Sequence, residues 1–292
     1  MLELLACQIA IPEMATPAER DRHLVRTVAE VSRRLEQRGA DLVVLPELSS
    51  VAYSRQVFDR LDGFAEALDG PSFQAWRQVA QRFETVVVFG IPRRGADGFH
   101  IAQLAVGPDG HLIGHFDKLH IAQFGGSMEK EYFARGGHLF CFEIKGVRIS
   151  PIICYDIRVP ELARALVLEQ GVQLLLHCGA YCRDESFYSW HDFVVTRAME
   201  NQAFVLSLNR AGADFGRSLF CQPWVDGDQP PHAFPDRAEA FERLTVDPAK
   251  TVSTRKRYSF LADKLPDYGA LVCREPAAEA VSEIRTVSRK IS

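Results

Sequence analysis

A mixed α/β fold built as one large domain is what this sequence predicts, and three features carry that expectation. Buried-strand patterns alternate with amphipathic-helix patterns along most of the chain, the order that generates parallel strands covered by helices. A Pro108-Asp109-Gly110 turn between two alternating apolar runs predicts a β-hairpin, so part of the sheet is antiparallel. The 292 residues, 47% hydrophobic and 25% charged, supply ample apolar material for a core and exclude intrinsic disorder.

The elements follow in chain order. LELLACQIA (2–10) is an apolar, β-compatible run and reads as the first buried strand. Thr16, Pro17 and Glu19 provide an N-cap, a first-turn proline and a capping-box acid, and Leu24, Val28, Val31 and Leu35 form one stripe that stops before Gly39. LVVLPEL (42–48) is a second strand, 72–83 a helix, and TVVVFGI (85–91) a third strand before the hairpin. The alternation then resumes with a strand at 147–156, a helix at 159–170, a strand at 172–178, a helix at 187–202 and a strand at 204–209. Residues 222–240, rich in Pro, Asp and Gly, read as a surface excursion; a strand near 242–246 and a short helix from Asp247 come after it. The domain thus spans 1–270, and 271–292 is a C-terminal tail of weak apolar periodicity.

Composition removes several function classes. Lys and Arg total 34 against 38 Asp and Glu, and a net charge of −4 gives no footprint for nucleic acid or an anionic membrane. No apolar run approaches the roughly 20 residues that span a bilayer, and the N-terminus lacks the basic lead and cleavage site of a signal peptide. Seven cysteines at irregular positions form no disulfide framework, which suits a reducing cytoplasm. There is no G-x-S-x-G, H-E-x-x-H, P-loop or G-x-G-x-x-G motif. His111, His115 and His120 fit no zinc spacing, and His177, Cys178 and Cys182 read as packing residues, so no metal site is expected.

Cys154 differs in context. It ends the strand ISPIIC and precedes a polar segment leading into a helix, a location where ligands bind in helix-flanked sheets and where the helix field favours thiolate. Glu47 and Lys118 end other strands. Taken singly, each is an ordinary strand-end residue; together they suffice to hydrolyse an amide through a thioester. A carboxylate can take the thiol proton, protonate the leaving amine and later activate water. A fixed positive charge can hold the oxyanion, a contribution of roughly 3 kcal/mol per donor.

VVLPEL, FDKLHI and IICYDIRVPEL, in this order and at these separations, resemble the Glu-Lys-Cys motifs of the nitrilase superfamily of carbon-nitrogen hydrolases. MEKEYFARGG is similar to its second-glutamate segment, TRAMENQAFVLSLNRAG, GRSLFCQPW and ADKLPDY to later ones, so the likeness covers about 2–268. The resemblance implies a four-layer αββα sandwich with mixed sheets, catalysis without metal or organic cofactor, a small-molecule amide as substrate, and a homodimer or higher homo-oligomer to which the tail contributes. It makes Glu47 the general base, Lys118 the oxyanion stabiliser, Cys154 the nucleophile and Glu129 the carboxylate that positions Lys118 or substrate. The Tyr155 backbone N–H completes the oxyanion hole in the same scheme. Glu129 as a plain surface carboxylate, and Arg197 with Glu200 as a structural pair, are the competing readings.

Cys154-Tyr155-Asp156-Ile157-Arg158 lacks the Trp-Glu usual after the cysteine of nitrilases, which favours amides over nitriles. The segment is similar to the ω-amidase branch, which deamidates monoamides of dicarboxylic acids, and there the arginine can meet the distal carboxylate. Arg158, Tyr53 and Tyr155 are the substrate-binding candidates; an Arg158–Glu161 pair is the structural alternative. Ala52-Tyr53, Cys178 and the long 225–240 loop depart from the branch pattern. An N-carbamoyl amino acid hydrolase is the second reading and a nitrilase the third. A redox-sensing thiol protein would account for Cys154 but not for Glu47 and Lys118, and a noncatalytic scaffold would account for none of the three.

Overall fold

Among the described residues, 1–273 of the computed structural model, the strands assort into two six-stranded sheets. In the first, β1 (Leu2–Gln8), β2 (Leu42–Val44) and β3 (Val86–Arg94) run parallel, and β4 (Phe99–Val106) and β5 (Leu112–Asp117) add the antiparallel hairpin. The second repeats the plan: β6 (Phe142–Ile144) lies antiparallel to β7 (Val147–Ile153), which with β8 (Leu174–Cys178) and β9 (Phe204–Leu208) forms the parallel centre. The antiparallel strands β10 (Leu219–Cys221) and β11 (His232–Ala233) finish that sheet, and β12 (Ala240–Val246) returns to pair with β1.

Alternation of side chains builds the layers, because successive strand residues face opposite ways. Leu2, Leu4 and Ala6 of β1 meet Leu174, Leu176, Phe204 and Leu206 in the core between the sheets. Leu5 and Cys7 face outward, under α1 (Pro17–Gln37) and, after the short helices α2 (Arg55–Phe58) and α3 (Leu61–Phe64), α4 (Pro71–Phe83). Ile152, Leu175 and Val205 face outward on the second sheet, under α5 (Pro160–Arg164) and α6 (Phe187–Asn201). The result is the αββα sandwich that the motif resemblance implies. The expected cap of α1 is present, with Thr16 Oγ1 accepting from the Glu19 N–H and the Glu19 carboxylate accepting from the Thr16 N–H.

Four expectations change. The strand foreseen at 42–48 stops at Val44, because Pro46 has no N–H for the ladder and Leu48 takes a left-handed φ of 47°. The helix foreseen at 159–170 is α5 followed by a wider-wound stretch, Ala165–Glu169. Cys154 opens a tight five-residue turn, Cys154–Arg158, and α5 begins only at Pro160. The 222–240 excursion includes β11 and the buried Phe234, so part of it closes the core.

Residues Met1–Arg257, ending with α7 (Pro248–Arg257), form one unit; a second begins at Tyr258 and includes a helical turn at Ser259–Leu261. Residues 274–292, and with them most of the expected tail, lie outside the described residues. No helix among the described residues is long and apolar enough to cross a membrane.

Two glycines let backbone approach the segments that carry Glu47 and Lys118. A Cβ on Gly90 of β3 would meet the Leu48 nitrogen and lie 2.7 Å from the Pro46 carbonyl, while one on Gly136 would meet the Asp117 carbonyl. Both obstacles are backbone, which cannot swing aside as a side chain can. Gly90→Ala is therefore expected to displace the Glu47 turn, lowering the unfolding midpoint and cutting amide turnover at least tenfold; a variant with wild-type turnover and stability would show that the turn yields freely.

Candidate active site

Lys118 sits where β5 ends and is fully buried between two carboxylates. Its Nζ donates to Glu47 Oε1 at 2.9 Å and to Glu129 Oε1 at 2.6 Å, and all three side chains are at most 1% exposed. Burial alone would lower the lysine pKa, but Glu129 and Glu47 outweigh it and hold the ammonium well above its usual range. Glu129 belongs to a short turn, Glu129–Glu131, after the hairpin; its Oε1 also accepts from the Tyr53 hydroxyl and its Oε2 from the Ala122 N–H, both at 2.9 Å. A surface role for Glu129 is thereby excluded. Glu47 Oε2 is buried and has no hydrogen-bond partner among the described residues, and burial pushes the Glu47 carboxyl up, with Lys118 opposing and Glu129 adding to the rise.

The turns bearing these residues are themselves tied down. One Nη2 of Arg210, just after β9, donates to the carbonyls of Glu47, Leu48 and Val51 at 3.2, 2.9 and 2.8 Å. Arg93 forks onto Asp117, next to Lys118, at 2.8 and 2.7 Å. The Lys118 N–H donates to Ile101 and the Lys118 carbonyl accepts from Gly136, both at 2.8 Å.

Cys154 follows β7 with a left-handed φ of 45°. Its sulfur is close enough to Glu47, Lys118 and Glu129 to feel their charges; burial first, and then Glu47, push the thiol well above its usual pKa, while Lys118 and the Ala180 N–H pull it down. The expectation that a helix start favours thiolate here is corrected: only the short 3-10 turn Cys154–Arg158 begins at Cys154, α5 starts at Pro160, and burial beside a carboxylate dominates. The resting group is the thiol. Asp156 fastens this turn to the Lys118 segment, its Oδ2 accepting from the Ile153 N–H at 3.0 Å and its Oδ1 from the His120 N–H at 2.9 Å.

A pocket opens over the sulfur, with Tyr53, Glu129, Cys154, Tyr155, Arg158 and Tyr181 in its lining. Glu47 and Lys118 are fully buried and do not line it. The Arg158 guanidinium stacks over Phe193 at 4.8 Å and Phe124 at 5.5 Å, and donates to the Ser186 carbonyl at 3.2 Å and Ser189 Oγ at 3.4 Å. It has no carboxylate partner among the described residues, so the alternative pairing with Glu161 does not form. Arg197 does pair with Glu200 at 2.8 Å, and its Nε donates to the Ile157 carbonyl at 2.9 Å, bracing the turn after Cys154. Arg210, Asp156, His177 and Tyr181 all bear on the site; Arg210 and Asp156 lie inside quoted motif segments without being assigned a role, His177 reads from sequence as a packing residue, and Tyr181 is not marked by any motif. No group of three metal-ligating side chains exists among the described residues.

Glu47, Lys118 and Glu129 thus form a buried cluster beside Cys154, the four residues that the sequence singles out. The family model for carbon-nitrogen hydrolases matches residues 6–226, and the chain belongs to that family, within the nitrilase superfamily and its ω-amidase-like branch. It is an amide-hydrolysing enzyme. The chain is 31% identical over 204 residues to 2-oxoglutaramate amidase of Bacillus subtilis, covering 67% of this chain and 75% of that protein. It is 27% identical over 256 residues to omega-amidase NIT2 of Homo sapiens, covering 84% and 90%. A solved CN-hydrolase superfamily protein from Xanthomonas campestris, described with an arsenic adduct in its active site, superposes with a TM-score of 0.76 at 26% identity, covering 93% of this chain and 99% of that one.

Replacing Lys118 by Met removes the counter-charge of the buried Glu47 carboxylate, whose folded pKa, already raised by burial, then rises further above the ordinary 4.5. A raised folded value leaves stability intact below the unfolded pKa and removes it as pH climbs through the folded one. Lys118→Met is thus expected to cost about 3–5 kcal/mol at pH 7 and to recover part of that loss by about pH 5. Urea unfolding at the two pH values checks this, and an equal loss at both would mean that the carboxylate is not the source.

Proposed function

We propose that this enzyme is a cysteine-dependent amidase that releases ammonia from a small amide carrying a second, distal carboxylate, through a thioester acyl-enzyme. The observation that carries the reading is Arg158: a guanidinium without a carboxylate partner among the described residues, held by aromatic faces in the same pocket as Cys154. A planar fork of this kind recognises a carboxylate bidentately.

In the proposed cycle Glu47 takes the Cys154 proton as sulfur adds to the amide carbon. The oxyanion is held by the Lys118 ammonium, two of whose three protons already face carboxylates, and by the Tyr155 N–H. Glu47 passes its proton to the leaving nitrogen, ammonia departs, and the thioester remains. Water activated by Glu47 then adds to the thioester, releasing the acid and restoring the thiol. Glu129 keeps Lys118 charged and in place, and Tyr53 holds Glu129. No step calls for a metal or an organic cofactor.

The same reading places the enzyme in a reducing cytoplasm, where its seven free cysteines stay thiols. It also makes the enzyme a homodimer or higher homo-oligomer. Tyr188, 91% exposed at the start of α6, suits contact with a second copy.

The test is ammonia release from α-ketoglutaramate, succinamate, N-carbamoyl amino acids, neutral aliphatic amides and nitriles, with Cys154→Ala as the blank. Turnover is expected to concentrate on the dicarboxylate monoamides. Arg158→Ala is expected to lower kcat/KM for those at least a hundredfold while changing neutral amides little; equal losses would return Arg158 to a structural role. Preference for carbamoyl compounds, whose carboxylate Arg158 also fits, would move the assignment to an N-carbamoyl amino acid hydrolase.

A further inference from the structure

One hydrogen-bond chain reaches the nucleophile from the far side of the second sheet, and the cycle above leaves it unused. The Trp190 indole Nε1 on α6 donates to Ser207 Oγ at 2.9 Å; Ser207 Oγ lies 2.7 Å from His177 Nδ1; His177 Nε2 lies 2.9 Å from the Cys154 carbonyl oxygen. The protons can order in one way only. A carbonyl accepts and never donates, so Nε2 carries the hydrogen; a neutral imidazole then has a lone pair on Nδ1, which Ser207 must supply with its hydroxyl proton, and the indole fills the serine's acceptor site. His177 is fully buried, and that burial keeps it neutral, pushed down to about 3. Every polar atom in the chain is satisfied.

A second donor meets the same oxygen. The Tyr181 hydroxyl donates to the Cys154 carbonyl at 2.9 Å, its ring stacks on Trp190 at 4.7 Å, and Asn209 brackets its backbone, accepting from the Tyr181 N–H at 2.9 Å and donating to its carbonyl at 3.0 Å. The Cys154 carbonyl and the Tyr155 N–H are the two ends of one peptide unit. Donors on the oxygen therefore fix the plane of that peptide and draw electron density toward the oxygen, leaving the N–H more positive at the other end. That restraint matters at a residue whose left-handed φ of 45° the backbone does not favour.

We propose that Trp190, Ser207 and His177, together with Tyr181, are positioning residues for the oxyanion hole: they orient and polarise the Cys154–Tyr155 peptide so that its N–H meets the oxygen of the tetrahedral intermediate. The inference rests on the thioester mechanism proposed above. It assigns a function to His177, which sequence alone reads as a packing residue.

The experiment separates carbonyl chemistry from thiol reactivity in the full chain. Acylation of Cys154 by 4-nitrophenyl acetate passes through an oxyanion and is read by nitrophenolate release, with Cys154→Ala as the blank. Reaction of the same thiol with methyl methanethiosulfonate expels methanesulfinate at sulfur and forms no oxyanion; it is read by mass spectrometry of the Cys154 peptide. A glutamine at 177 can place its amide N–H where Nε2 stands, whereas an asparagine reaches only the Nδ1 position. His177→Asn is expected to slow acylation about tenfold or more with thiosulfonate reaction within about twofold, and His177→Gln to restore acylation. Ser207→Ala, a smaller change that frees the imidazole to flip tautomer, is expected to show the same one-sided loss. Equal slowing of both reactions, or slowing of neither, would overturn the proposal. Wild-type protein that reacts with the thiosulfonate yet releases no nitrophenolate above the blank would overturn the thioester mechanism itself, and the positioning role with it.

Discussion

The ammonium of Lys118, desolvated between Glu47 and Glu129, sets the terms for everything around it. Three charges away from water are tolerable only while their geometry holds, since a buried pair that loses one partner costs about 3–5 kcal/mol. The cluster carries one excess negative charge when both glutamates are ionised, and Arg210, fully buried, contributes the balancing positive charge from the next layer while binding the backbone of the Glu47 turn. Gly90 and Gly136 admit the close backbone approaches that the cluster needs, and the Arg93–Asp117 fork holds the end of β5 from which Lys118 projects. The rigidity of the site is thus a consequence of its electrostatics as much as of its packing.

The sandwich explains why these groups converge. Glu47 and Lys118 leave the first sheet after β2 and β5, and Cys154 leaves the second after β7. Neither sheet holds base, lysine and nucleophile together by itself. The inter-sheet core of Leu4, Val44, Leu176 and Leu206 brings the two sets together, and Asp156 stitches them by accepting from backbone on both sides, at Ile153 and at His120. Loss of packing between the sheets would therefore separate base from nucleophile before it unfolded either sheet.

Much of this was legible in the sequence. Apolar runs followed by a polar segment marked the strand ends, so Glu47, Lys118 and Cys154 stood out as strand-end residues, and the α1 cap was readable from Thr16, Pro17 and Glu19. What stayed hidden depends on contacts between distant segments. β6, β10 and β11 have only two or three residues each and exist because a neighbour offers a ladder edge. His177 and Ser207 occupy apolar strands where a polar residue reads as an interruption, and their pairing across 30 positions carries no periodic signal. The position of Arg158, stacked on Phe124 and Phe193 rather than paired with Glu161, follows from where α6 packs, which no local pattern encodes.

The protonation of Cys154 at rest separates a hydrolytic site from a redox sensor. A sensor thiol works as an exposed, low-pKa thiolate, whereas here burial and the Glu47 carboxylate keep the proton on sulfur. Forming the thiolate alone would add a negative charge beyond the one that Arg210 balances if Glu47 stayed ionised, and moving the proton to Glu47 only transfers the same total within the cluster. The cost falls when the charge travels on, from sulfur to a carbonyl oxygen lying against the Lys118 ammonium and a backbone N–H. In the proposed cycle the proton therefore leaves sulfur as the carbon–sulfur bond forms.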